Sequence, residues 1–167
     1  LYLDGTVGGG GHTRSILEHC PACRVIAVDR DPEALAQARD VLAGFPGRVR
    51  FLHRRFDDAV DDPEVRDRGL DGALLDLGVS SHQLDADARG FAFRRGVGLD
   101  MRMDGTQGRD AAALLAEADE EELTRVFREL GEEPHGRRLA REVLKRRATE
   151  PLTTSDDLVA ALSVVLR

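Results

Sequence analysis

The sequence predicts an α/β domain on a partial parallel sheet of about four strands, joined to a helical subdomain. Three features predict it. Apolar strand runs alternate with helical periodicity through the first 77 residues, and a glycine-rich stretch separates the first strand from the first helix. After Gly78 the alternation stops, leaving a long loop and then helices alone.

Residues 1–3 are short and apolar and read as the first strand, and residues 5–11 as a glycine loop. Residues 13–20 suit a helix burying Ile16, Leu17 and Cys20. Val25-Ile26-Ala27-Val28 is a second strand ending at Asp29. Asp31 followed by Pro32 is an N-cap with proline at the first helical position, and the helix it opens buries Leu35, Ala38 and Leu42. Gly44 to Gly47 breaks it. Val49, Phe51 and His53 alternate like a third strand, and Ala73-Leu74-Leu75 reads as a buried fourth. Parallel strands with helices between them call for right-handed crossovers.

Residues 78–104 show no clear period and carry several glycines. A loop of that length in a compact domain points to function. Residues 110–117 then read as a helix. Asp119 and Glu122 suit a capping box for a helix burying Leu123, Val126, Phe127 and Leu130, ended by Gly131. Residues 136–148 form a basic amphipathic helix, and Thr154 with Asp157 opens the last one. The expected domains are residues 1–104, with 78–104 as an active-site loop, and a helical insertion over 105–167. The abrupt ends, within a strand and within a helix, read as those of a fragment of a longer protein.

Apolar residues make up 41% and charged residues 33%, a globular balance that excludes collagen-like, low-complexity and disulfide-scaffold classes. No apolar run approaches the ~18 residues of a membrane span. The net charge of −7 means that any nucleic-acid contact must come from a local patch. Lys145 is the sole lysine, an arginine bias that a GC-rich genome accounts for. Cys20-Pro21-Ala22-Cys23 closes a helix instead of opening one, and no second pair completes a zinc site. The expectation is two incidental thiols in a reducing cytoplasm and no structural metal.

Asp4-Gly5-Thr6-Val7-Gly8-Gly9-Gly10-Gly11-His12 occupies the crevice outside the strand carboxyl ends, where open α/β sheets bind ligands. Asp29 ends the next strand at the distance expected of a ribose partner. The dinucleotide fingerprint fails, because it needs glycine at Thr13 or Arg14, and the phosphate loop fails for want of a lysine. What remains is closest to the acidic, glycine-rich loop of S-adenosylmethionine enzymes, with Asp4 an acceptor near the cationic methionine portion.

Longer strings carry a resemblance. Asp4-Gly5-Thr6, Gly8, Gly10-Gly11-His12, Asp29-Arg30-Asp31-Pro32, Asp76-Leu77-Gly78-Val79-Ser80-Ser81 with Gln83-Leu84-Asp85, Arg89-Gly90-Phe91, Leu99-Asp100-Met101-Arg102-Met103-Asp104 and Gly131-Glu132-Glu133 occur in order. Together they resemble, over essentially the whole chain, the bacterial methyltransferases that modify the N4 amine of a cytidine in small-subunit ribosomal RNA (the MraW family). The resemblance implies a Rossmann-like class I methyltransferase sheet with a helical insertion, S-adenosylmethionine as cofactor, and small-subunit ribosomal RNA or the ribosomal particle as partner. It implies a cofactor pocket of Gly10, Gly11, His12, Asp29, Phe56, Asp76 and Gln83, to which the loop reading adds Asp4. Two departures stand out: arginines beside Phe56, and His82 in place of a common proline.

A cytosine amine is a poor nucleophile, so the reaction needs placement and a proton acceptor. The sequence does not identify that acceptor; Asp76 is the candidate catalytic residue, and Phe93, with Phe91, is the candidate for stacking on the base. Arg137, Arg138, Arg141 and Lys145 offer a phosphate-binding face on the basic helix. A solvated charged face, a methyltransferase with another substrate, and an inactive cofactor-binding piece are the alternatives.

Overall fold

The computed structural model describes residues 1–92 and 94–166. These divide into two compact units, Leu1–Ser80 and Ser81–Arg167.

In the first unit the elements run β1 (Tyr2–Asp4), α1 (Gly11–His19), β2 (Val25–Asp29), α2 (Pro32–Val41), β3 (Val49–His53), a 3₁₀ turn (Asp57–Asp61), α3 (Pro63–Arg68) and β4 (Gly72–Leu74). The four strands make one parallel sheet in the order β3-β2-β1-β4. Chain order reverses at β1, so the crevice for a ligand lies at the carboxyl ends of β1 and β4.

The alternation of side chains along β2 decides which helices cover which face. Val25 and Ala27 pack with Val7, Leu17, Leu35, Ala38 and Leu42, while Ile26 and Val28 pack with Leu1, Leu3 and Ala59. Burial on both faces explains the near-continuous apolar run of this strand, and each fully buried Val or Leu contributes about 1.5–3 kcal/mol. Asp31 caps α2 as its sequence predicts: its Oδ1 accepts from Glu33 N at 3.0 Å, with proline at the first helical position.

Two sequence expectations change here. β4 is not a buried strand. Among the described residues it pairs only with β1, and Ala73 is exposed, as are Leu75 at 47% and Leu77 at 67%. Cys20 and Cys23 are not free thiols. They form a disulfide across the turn between α1 and β2, because that turn brings the two Cα atoms to 5.3 Å.

The second unit contains α4 (Ser81–Asp85), α5 (Ala111–Glu117), α6 (Glu120–Arg125), a π turn (Val126–Leu130), α7 (Gly136–Arg147) and α8 (Ser155–Val165). Its core gathers Leu99, Leu115, Leu123, Leu139, Val143, Leu152 and Val165. Residues 81–104, expected with the sheet, group instead with these helices. The reason is their hydrogen bonding: Leu99 N donates to Thr153 O, Ala112 N to Leu99 O, and Ser155 N to Val97 O. Arg89, itself buried, ties this loop by donating to the carbonyls of Arg102 and Met103.

Thr154 and Asp157 form the expected capping box. The box at Asp119 forms only by half: Asp119 accepts from Glu122 N, while the Glu122 side chain turns to Arg109. The helix expected to bury Leu130 widens into the π turn, with Gly131 N bonded to Val126 O, and Leu130 ends 68% exposed. Among the described residues no helix is long and apolar enough to cross a membrane.

Candidate functional site

The glycine loop sits at the carboxyl ends of β1, β2 and β4. Gly5 N donates to Leu74 O at 2.9 Å and Val7 N to Val28 O at 2.9 Å, which stitches the loop to the strands on both sides of β1. Gly8 (φ +50°) and Gly10 (φ +84°) take left-handed backbone that β-carbons disfavour. At Gly10 a side chain would also press on Leu42 and on the Ala38 backbone.

Two carboxylates organise this loop. Asp4 is fully buried; its Oδ2 accepts from Thr13 Oγ1 at 2.6 Å and its Oδ1 from Thr6 N at 3.3 Å. Burial pushes its carboxyl above the usual aspartate range, against the pull of those two donors and of His12, and with a smaller push from Asp29. Asp29 accepts from Gly8 N on one oxygen and from Asp31 N on the other, both at 2.9 Å. One lone-pair position stays open on each oxygen, so two remain for a ligand hydroxyl.

Asp76 follows β4, and its N–H donates to Thr6 Oγ1 at 2.7 Å. Thr6 thus links Asp4 to Asp76. Asp76 Oδ2 lies 3.9 Å from His12 Nδ1, and both side chains are largely exposed. Phe56 is partly exposed and flanks the loop at Gly5, where an added β-carbon would lie 2.9 Å from Phe56 Cβ. Gly10 gives α1 no side-chain cap, and among the described residues no group accepts from the amides of Gly11 and His12. This N-terminus therefore presents donors beside three carboxylates and one aromatic ring.

Seven of the sequence-derived residues therefore meet in the first unit: Asp4, Gly10, Gly11, His12, Asp29, Phe56 and Asp76. Gln83 is buried on α4, in the second unit. Phe93 lies outside the described residues, and Phe91 is half-buried in the second unit. Sequence reasoning missed Thr6 and Thr13: the Thr13 hydroxyl donates to Asp4, and Thr6 ties the Asp4 carboxylate, through its N–H, to the Asp76 backbone, through its hydroxyl. Thr13 stands at the very position where the dinucleotide fingerprint fails, and that mismatch is the signal that could have found it.

The basic face on α7 is less free than its sequence implies. Arg137 and Arg141 both donate through Nε to Glu120, at 3.1 and 2.9 Å. Glu142 takes Arg146 and lies 3.9 Å from Lys145. Arg147 donates to the carbonyls of Leu115 and Ala118, closing the end of α5. Of Arg137, Arg138, Arg141 and Lys145, only Arg138 has no ion pair among the described residues. Among those residues no group of three or more His, Cys, Asp or Glu side chains is placed to hold a metal.

A model of the MraW methylase family matches residues 1–166. Proteins named ribosomal RNA small subunit methyltransferase H are similar throughout. That of Magnetococcus marinus is 47% identical over 165 residues, covering 97% of this chain and 53% of the relative. That of Beutenbergia cavernae is 48% identical over 161 residues, covering 95% and 48%. That of Acidiphilium cryptum is 45% identical over 170 residues, covering 100% and 53%. The chain thus spans about half the length of the curated relatives it matches. With a parallel α/β sheet, a glycine loop framed by acids and a match over nearly all its residues, the chain belongs to the MraW methylase family.

Proposed function

We propose that this chain carries the cofactor-binding part of an S-adenosylmethionine-dependent methyltransferase. Its substrate is the N4 amine of a cytidine in small-subunit ribosomal RNA, met in the cytoplasm as free RNA or in the ribosomal particle. The observation that carries the proposal is the hydrogen-bonded frame Thr13–Asp4–Thr6–Asp76, with Asp29 holding Gly8, at the sheet's switch point. Membership of the MraW family and the names of its relatives support the substrate class.

The residues present fit the cofactor. A β-carbon at Gly11 would meet nothing within 4 Å, so space stands open beside the uncapped amides, which suit the methionine carboxylate. The lone pairs left on Asp29 suit ribose hydroxyls, and Phe56 offers an apolar wall for adenine. Gln83 joins this set by resemblance. When bound, the cofactor supplies an electrophilic methyl group on a sulfonium. Asp76 stays exposed and accepts an N–H of the incoming amine, drawing its lone pair out of ring conjugation. Asp4, expected as an acceptor for the methionine portion, is fully buried, and its part is instead to position Thr6 and Thr13. Phe93 and Phe91 are proposed to stack on the base, and Arg137, Arg138, Arg141 and Lys145 to face phosphates, Arg138 most freely.

The test uses the chain with methyl-labelled cofactor and unmodified small-subunit particles, followed by nucleoside analysis. The expected label is N4-methylcytidine. Bound cofactor with no label in cytidine would refute the substrate assignment.

A further inference from the structure

We propose that Cys20–Cys23 is a redox-active disulfide, opened and re-formed by exchange with a dithiol, and so a second chemical site on this chain. It lies at the opposite end of α1 from the glycine loop, about 14 Å away by helical rise.

Three observations point to reactivity over structural stapling. The bridge joins residues only three apart, so it removes little freedom from the unfolded chain. The turn is also held without it: Cys23 N donates to Cys20 O at 3.0 Å. Pro21 and Ala22 are exposed and neither cysteine is fully buried, which gives an incoming thiolate a path to the sulfurs.

Arg48 adds a fourth. Its Nη2 donates to Leu17 O at 3.0 Å and to Cys20 O at 2.6 Å, and its Nε donates to Cys23 O at 3.0 Å. One guanidinium therefore grips the backbone on both sides of the bridge and sets the two cysteines facing each other. It has no carboxylate partner among the described residues, and packs instead over the Phe45 ring at 5.6 Å. Its positive charge is left to stabilise the expelled thiolate transiently, before protonation, and so eases opening, while its grip on the backbone favours the closed pair at equilibrium.

The step balances without a metal or flavin. A thiolate of the dithiol attacks one cysteine sulfur, the S–S bond breaks, and the expelled cysteine thiolate takes up a proton. The second thiol of the reductant, deprotonated, attacks its own sulfur in the mixed disulfide and releases the other cysteine, which is protonated in turn. Two electrons pass to the chain and the dithiol leaves as a disulfide. The reverse sequence closes the bridge.

The experiment equilibrates the whole chain in graded mixtures of reduced and oxidised dithiothreitol, quenches with acid, alkylates, and counts adducts by mass. The expected result is a single two-electron transition between species with no adduct and with two, with far-ultraviolet dichroism unchanged across it. The Arg48→Gln variant is expected to shift the equilibrium about tenfold toward the dithiol, the worth of one lost charge-assisted hydrogen bond. Two adducts under every mixture, or none under any, would overturn the proposal. That outcome is read on wild-type chain and does not depend on the variant folding. An unchanged equilibrium in the variant overturns the part assigned to Arg48.

Discussion

The glycine-loop unit and the helical unit use their charges in opposite ways. Around the loop, the Asp4 and Asp29 carboxylates are bound by backbone amides and the Thr13 hydroxyl of the same unit, and Asp76 is held through its backbone N–H, which leaves its carboxylate largely exposed. On α7, arginines are bound by Glu120, Glu142 and helix-end carbonyls, so most of the face that looks like a nucleic-acid surface is already engaged. Residue types with fixed spacing mark a hydrogen-bonded loop at the sheet's switch point, whereas a run of like charge marks a helix whose arginines mostly join helices to one another.

The largest effect expected is at the hydroxyl that the site depends on. Thr13→Val keeps the shape and removes the donor to a buried carboxylate, so the first unit should lose about 2 kcal/mol in urea unfolding. Arg147→Ala should lose about 1–2 kcal/mol in the helical unit, because two carbonyls at the end of α5 lose their donor. Arg138→Ala, on the same helix, should change stability by less than ~0.5 kcal/mol. Equal losses at Arg138 and Arg147 would erase the distinction between joining and free arginines.

Glu120→Gln sharpens the comparison from the other side. It should release Arg137 and Arg141, whose pairing now holds the Glu120 carboxyl below the usual range. RNA binding should then tighten and its salt dependence steepen, by roughly one to two phosphates' worth of slope in a titration over salt. An unchanged slope would mean that these arginines do not face RNA even when freed.

Acid titration gives the smallest effect and a difference of sign. Burial raises the folded Asp4 carboxyl above its unfolded value of 3.8, so its ionised form opposes folding at neutral pH. As pH falls through its folded value toward 3.8, wild type should gain stability relative to Asp4→Asn. Asp157 in the capping box, held low chiefly by Thr154, and Asp100, held low chiefly by Arg102, behave oppositely. Their contribution is present above 3.8 and is lost as pH falls through their lower folded values. Chemical denaturation of wild type, Asp4→Asn and Asp157→Asn across this range reads both signs.

How much of this was legible follows from the range of each interaction. The sheet, the glycine loop and the Asp31-Pro32 cap rest on neighbours within a few residues or on simple periodicity, and all three stand where the pattern puts them. Thr6 bonding to Asp76 across 70 positions leaves no local trace. The same holds for Arg147 capping α5 and for Arg89 fastening the loop that joins the helices. The cysteine pair was visible but misread: chain order placed it after a helix, and only the turn geometry shows the two residues close enough to bond.

The central claim is that the glycine loop and the carboxylate ending β2 together hold an adenosyl sulfonium. Calorimetric titration of S-adenosylmethionine into this chain and into Asp29→Ala, with dichroism to show both folded, tests it most directly. One saturable site in wild type, weakened at least about tenfold in the variant, is the expected result. No binding to folded wild type, or equal binding to both proteins, would contradict it.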